Sequence, residues 1–138
     1  TLFRSAYKAV LIGAGNLGQA IASHLSFETE GFTLVGIFDN ADAKIGRTIN
    51  GLTVRNIDTL ERFCNLEKPT MAVLCVPRSA VESLSDRLYA LGIRCFWNFS
   101  HYDINMKYGD AIVENVHLND SLMTLCYRIT NDPMRTTK

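Results

Sequence analysis

The sequence has no excess of charge: 14 Lys and Arg balance 14 Asp and Glu. No basic stripe gathers the cations, so this stretch lacks the electrostatic footprint of a nucleic-acid binder. It also lacks an apolar run long enough to span a bilayer, and a signal peptide. Cysteine is scattered. None of Cys64, Cys75, Cys95 and Cys126 stands in a C-x-x-C pair with another, which argues against zinc and thioredoxin-like chemistry. Their apolar neighbours read as reduced, buried thiols of a cytoplasmic protein. No internal repeat or low-complexity segment is visible. An initiator methionine is missing too, and Thr1 is read as the start of an excised piece, with residues 1–8 a linker remnant. What remains, at 138 residues, is one domain with enough apolar content for a real core.

Residues 9–118 are organised around Gly13-Ala14-Gly15-Asn16-Leu17-Gly18. The apolar run Ala9 to Ile12 precedes it as a short buried strand. Leu17, Ala20, Ile21 and Leu25 follow at helical spacing. Strand, glycine turn and helix are the context in which G-x-G-x-x-G carries a mechanism. Gly13 allows the tight turn, Gly15 lets a pyrophosphate approach the backbone, and Gly18 lets helix and strand pack. The helix start offers N–H groups and a positive dipole end to phosphate. The next strand, Thr33 to Phe38, ends in Asp39, 21 positions after Gly18, where a ribose-binding acid belongs. Such an acid accepts from ribose hydroxyls and repels a 2′-phosphate, favouring NAD(H) over NADP(H). Arg47 is the counterweight, since a nearby arginine can hold a 2′-phosphate.

Further along, Asn40 to Arg47 is polar and small, with Ile45 available to an adenine face or to the core. Gly51 to Val54 reads as an edge strand. Asp58 and Glu61 resemble an N-capped helix start before Leu60, Phe63 and Cys64. Met71 to Val76 is a continuous apolar run, as in a central parallel strand, and Pro77 ends it. Ser79-Ala80-Val81-Glu82 fits a capping box ahead of the stripe Val81, Leu84, Leu88 and Leu91, with Gly92 as the stop. Ile93 to Phe99 and Ile112 to Val116 read as two more strands. A last helix begins near Asn119 or Asp120, carries Leu122, Leu125, Cys126 and Ile129, and stops at Asn131-Asp132-Pro133.

This alternation predicts an α/β fold, a doubly wound parallel sheet with its ligand crevice at the carboxyl ends of the strands. The crevice would collect Gly13 to Gly18, Asp39 and Asn40, Val76-Pro77-Arg78, and Asn98-Phe99-Ser100-His101.

The ordered set Gly13 to Ala20, Phe38-Asp39, Ile45-Gly46-Arg47, Val76-Pro77, Gly92-Ile93, Trp97-Asn98-Phe99 and Glu114-Asn115-Val116 resembles the Rex family of redox-sensing transcriptional repressors. The resemblance runs from about Ala9 to the last helix. It implies an NAD(H)-binding Rossmann domain, with residues 119–138 a helix and tail exchanged between the protomers of a homodimer. It further implies operator DNA bound through an N-terminal winged helix absent here, and released when NADH closes the dimer. Two places depart from the family pattern. Ser100-His101 stand where Ala-Pro is usual, and His117 where an Asp is usual.

Two other readings use the same fold. A dehydrogenase cofactor domain needs a positioned acid or base, and His101 and His117 have no Asp or Lys partner at a motif spacing. A coenzyme A site would set Asp39 against the adenosine 3′-phosphate. The residues favour a sensor that is not itself an enzyme, with no metal ligand set.

Overall fold

The computed structural model describes residues 7–24, 27–117, 125 and 128–130. Its strands are β1 (Tyr7–Ile12), β2 (Phe32–Asp39), β3 (Thr48–Ile49), β4 (Leu52–Asn56), β5 (Met71–Leu74), β6 (Cys95–Asn98) and β7 (Ile112–Asn115). The helices are α1 (Asn16–His24), α2 (Leu60–Glu67) and α3 (Arg78–Ala90). The strands form one sheet in the order β3-β4-β2-β1-β5-β6-β7. Every neighbouring pair is parallel except the β3–β4 hairpin. This is the doubly wound, Rossmann-like arrangement, and its order reverses between β1 and β5.

The central strands are apolar over most of their length because both faces are covered there. Val10, Ile12, Phe38, Ala72 and Leu74 pack with Leu60 and Cys64 of α2 and Val81, Leu84 and Leu88 of α3. Leu11, Ile37 and Val73 point the other way, onto Ile21 and Ala22 of α1. Phe38 is fully buried, and its ring meets Phe63 edge-on with centroids 5.2 Å apart, the geometry favoured by the ring quadrupoles. Helix α1 buries Gly18, Ile21 and Ala22, whereas Ala20, expected on its apolar face, is exposed. Leu25 lies outside the described residues.

Several local expectations are corrected. The Gly51 segment is the return arm of a hairpin: Asn50 and Gly51 take φ of 50° and 85°, as a two-residue Asn-Gly turn requires. Asn56, not Asp58, supplies a side-chain cap, and it caps the 3₁₀ turn Ile57–Thr59 ahead of α2, its Oδ1 accepting from the Asp58 N–H at 2.9 Å; Thr59, at the cap position of α2 itself, makes no side-chain cap bond. Helix α3 starts one residue before Ser79, with Pro77 at the cap position and no side-chain cap bond. A proline tolerates that position because the N–H it lacks has no helical partner there. At the other end Gly92 stops α3 as expected. Its N–H donates to the Tyr89 carbonyl at 3.0 Å and that of Ile93 to Leu88 at 3.1 Å, a Schellman ending.

The β6–β7 crossover carries no α-helix. It contains a 3₁₀ turn, Ile104–Met106, and is pinned to α3 by aromatic and charged groups. The Tyr89 and Tyr108 rings stack with centroids 3.9 Å apart. The Tyr108 hydroxyl donates to Asp86, and Lys107 Nζ donates to the same carboxylate at 3.0 Å. Those two contacts hold the Asp86 carboxyl below the ordinary carboxylate range, the tyrosine bond contributing most.

Of the expected C-terminal stripe, Leu125 and Ile129 lie in helical residues and are 53% and 46% exposed. Leu122, Cys126, the start at Asn119 or Asp120 and the stop at Asn131-Asp132-Pro133 lie outside the described residues. No helix among the described residues is long and apolar enough to cross a membrane.

Candidate functional site

At the reversal between β1 and β5 the chain leaves a cleft of about 410 Å³, within the range of small-molecule sites. Its floor is the glycine turn. The Gly13 N–H donates to the Phe38 carbonyl and the Cys75 N–H to the Ile12 carbonyl, both at 2.8 Å. These bonds bind the turn to the ends of β2 and β5. Gly13 has φ of 106°, and a Cβ there would lie 2.3 Å from the Cys75 carbonyl oxygen. A Cβ on Gly18 would lie 1.8 Å from the Gly13 oxygen, so this is where α1 closes on the turn. Gly15 differs from both. It lines the cleft, and a Cβ on it would meet nothing within 4 Å. The first helical bond of α1 runs from the Gln19 N–H to the Gly15 carbonyl at 2.9 Å. The N–H groups before it therefore lack intrahelical partners.

Asp39 sits at the end of β2 and lines the same cleft. Its Oδ2 accepts from the Ala14 N–H at 2.7 Å and its Oδ1 from the Ala41 N–H at 2.9 Å. The carboxylate thus orders the glycine turn while each oxygen retains a free lone pair. Asn40, Val76 and Pro77 complete that wall.

Helix α3 forms the opposite wall through Ala80, Ser83, Leu84 and Arg87. Their i, i+3, i+4, i+7 spacing is legible in the sequence as a second face beside the core stripe. Arg87 is fixed by a fork onto Glu61 of α2, Nε donating to Oε2 at 2.6 Å and Nη2 to Oε1 at 2.7 Å. Its Nη2 also donates to the Ile57 carbonyl at 2.9 Å. The Arg87 hydrogen bonds, more than its charge, hold the Glu61 carboxyl below its ordinary value of 4.5. A carboxyl lowered by folding stabilises the fold above its unfolded value, and this contribution fades as pH falls through the folded value. Glu61→Gln should therefore lower neutral-pH stability by up to about 1 kcal/mol, with the two unfolding curves converging in acid. Urea midpoints measured from pH 7 to pH 3 check this; a gap that persists unchanged at low pH would sink it.

The other expected site residues are placed elsewhere. Ala14 is buried and Leu17 half-buried on the α1 side of the core, while Asn16 is exposed at the head of α1. Ile45 is half-buried in the turn after Asp39 and does not line the cleft. Arg47 is exposed and likewise outside the lining. Asn98 is fully buried: its Nδ2 donates to the Tyr102 carbonyl at 2.8 Å and to Asn115 Oδ1 at 2.9 Å. Its Oδ1 accepts from the Ser100 hydroxyl at 2.7 Å and the Ser100 N–H at 3.1 Å. Asn98 and Ser100 thus brace the ends of β6 and β7. Phe99 packs against Trp97 with ring centroids 4.9 Å apart.

Chemistry in the cleft is limited. Burial pushes the Cys75 thiol up to about 12, so it is no nucleophile at neutral pH. Asp39 is occupied by two N–H groups and Arg87 by Glu61, and no histidine lines the cleft.

Comparison with known proteins agrees with this geometry. A family described as "CoA binding domain" matches residues 4–102. The redox-sensing transcriptional repressor Rex of Thermoanaerobacter sp. (strain X514) is 44% identical over 128 residues, covering 93% of this chain and 57% of that protein. The crystal structure of RSP, a Rex-family repressor, in complex with beta-NADH superposes with a TM-score of 0.80 at 42% identity, over 93% of this chain and 61% of that one. RSP with beta-NAD+ and operator DNA gives 0.79, also at 42% identity, over 93% of this chain and 58% of that one. This chain therefore spans roughly three fifths of the length of these relatives, which are named as transcriptional repressors rather than as enzymes. Matched over most of its length, the chain belongs to the CoA binding domain family and resembles the Rex repressors over 93% of its residues.

Proposed function

We propose that this chain binds NAD(H) and serves as the redox-sensing and dimerisation domain of a Rex-like repressor. The observation that carries the reading is the joint presence of the open Gly15 backbone and the Asp39 carboxylate on one cleft. The pyrophosphate lies against Gly15 and the first-turn N–H groups at Asn16 and Leu17. The ribose hydroxyls donate to the free lone pairs of Asp39, and the adenine packs on Ile57, Val76 and Leu84. Arg47 stands away from the cleft and the Arg87 guanidinium on the opposite wall is engaged by Glu61, so neither is free to offset the repulsion between Asp39 and a 2′-phosphate. Operator contact comes from a winged-helix domain outside these 138 residues, in a cytoplasmic homodimer built through the C-terminal helix. The half-exposed Leu125 and Ile129 support that helix as a surface needing cover.

Calorimetric titration of the chain with NADH, NADPH and coenzyme A tests the reading. NADH should bind more tightly than NADPH, with coenzyme A weakest. NADPH binding equal to or tighter than NADH removes the Asp39 argument, and a preference for coenzyme A replaces the reading by the one in the matched family's name. Sedimentation equilibrium of the same sample reads the dimer.

A further inference from the structure

Two histidines far apart in the sequence, His101 and His117, meet in space. His101 follows the end of β6 by three residues and His117 follows the end of β7 by two. Those ends are in register, Asn98 opposite Asn115. Both segments are tied to Asn98: the Val116 N–H donates to its carbonyl at 2.9 Å, and the Ser100 N–H to its side chain. The imidazoles are exposed and their planes differ by 26°. The rings stack with centroids 5.1 Å apart and their Nδ1 atoms only 3.3 Å apart, so the two nitrogens lie on the near sides of the pair.

A separation of 3.3 Å lets one imidazole N–H donate to the bare nitrogen of the other ring, and with both nitrogens bare it leaves room for a bound group between them. It suits a shared ion. Two nitrogens each about 2.0–2.1 Å from a zinc ion and 3.3 Å apart subtend roughly 107° there, close to a tetrahedral angle. We propose that His101 and His117 form a two-histidine site for a divalent transition-metal ion of the zinc class. The imidazole pair selects borderline metals over Mg²⁺ and Ca²⁺, which prefer oxygen ligands. No group of three or more His, Cys, Asp or Glu converges on a common point among the described residues. The ion therefore keeps water or an external ligand in its remaining positions. The proposal does not depend on nucleotide binding.

The sequence holds only three histidines, so the test has an internal control in His24. The chain is titrated with zinc chloride, without nucleotide, by calorimetry, alongside His101→Ala, His117→Ala and His24→Ala, each checked for folding by circular dichroism. One zinc per chain is expected, with affinity reduced at least about tenfold by either substitution in the pair and unchanged by His24→Ala. In the native chain, the imidazole ¹⁵N resonances of His101 and His117 should shift together on zinc addition while those of His24 stay. Absence of saturable binding, zinc affinity indifferent to both substitutions, or resonances that do not move would each overturn the proposal.

Discussion

Alanine is expected to destabilise the fold by about 2–5 kcal/mol at Gly13 and by about 1–3 kcal/mol or more at Gly18, whereas Gly15→Ala is expected to change stability by less than about 1 kcal/mol and to weaken NADH. At Gly18 the added methyl would lie 1.8 Å from the Gly13 carbonyl oxygen, and at Gly13 it would lie 2.3 Å from that of Cys75. Both obstacles are backbone, so neither can rotate aside as a flexible side chain would. Gly13 adds the cost of a left-handed conformation, about 1–2 kcal/mol for a residue with a Cβ, on top of overpacking that typically costs about 1–3 kcal/mol. Gly15 has ordinary φ and no neighbour within 4 Å, so a methyl there obstructs only what comes from outside. An NADH affinity lower by roughly tenfold, about 1.4 kcal/mol, is the expected reading. Urea unfolding and NADH fluorescence titration on the three variants separate the roles. Wild-type stability in Gly18→Ala would contradict the packing argument. Wild-type affinity in Gly15→Ala would remove the pyrophosphate from that position.

Asp39→Ala is expected to lose on two counts. It strips the partner from the N–H of buried Ala14 and from that of Ala41, and a hydrogen bond to a charged group contributes about 1.5–3 kcal/mol. The same truncation removes the acceptor for the ribose, so NADH should weaken by a further 1.5–3 kcal/mol or so while NADPH, freed of repulsion, weakens less. Asp39→Asn separates the effects. It keeps an acceptor for the Ala14 N–H but no charge, so it should narrow the NADH-to-NADPH preference at a smaller loss of stability. A preference ratio unchanged in Asp39→Asn would show that the carboxylate orders the turn without choosing the cofactor.

The sheet and the glycine turn were readable in advance because each carries its own signature in the sequence, an unbroken apolar run or a fixed glycine spacing, even where the partner atoms are distant. Val10 to Ile12 is uniformly apolar because β1 is covered on both faces, and the glycines are demanded by backbone atoms close in space. The Gly92 stop was readable because its bonds reach only to Leu88 and Tyr89. Other features depend on partners distant in sequence. Arg87 lines the cleft only because Glu61, 26 residues earlier, holds its guanidinium. Asn98 looked like a crevice residue from its place at a strand end, but Ser100 and Asn115 absorb its polar groups. The Asn50-Gly51 turn was legible and read instead as the start of a strand. The cap at Asn56 displaced Asp58 because a 3₁₀ turn, Ile57–Thr59, intervenes before α2, which the apolar period of the helix does not reveal.

The position of β1 in the middle of the sheet bears on how the chain is made. Its partner on one side, β2, is complete by Asp39, and the outer strands β3 and β4 by Asn56. Its partner on the other side begins only at Met71, with Ala9 opposite that residue. A ribosome adds about 5–20 residues each second, so the half-sheet carrying Gly13 and Asp39 can assemble seconds before β5 emerges. During that interval β1 presents a bare parallel edge whose Val10 and Leu11 are fully buried in the finished fold, the kind of edge that other chains can pair with. Docking of β5 covers that edge and, in the same event, sets the Cys75 and Val76 wall against the glycine turn. Closure of the cleft wall and protection of the β1 edge therefore arrive together, once β5 has been made.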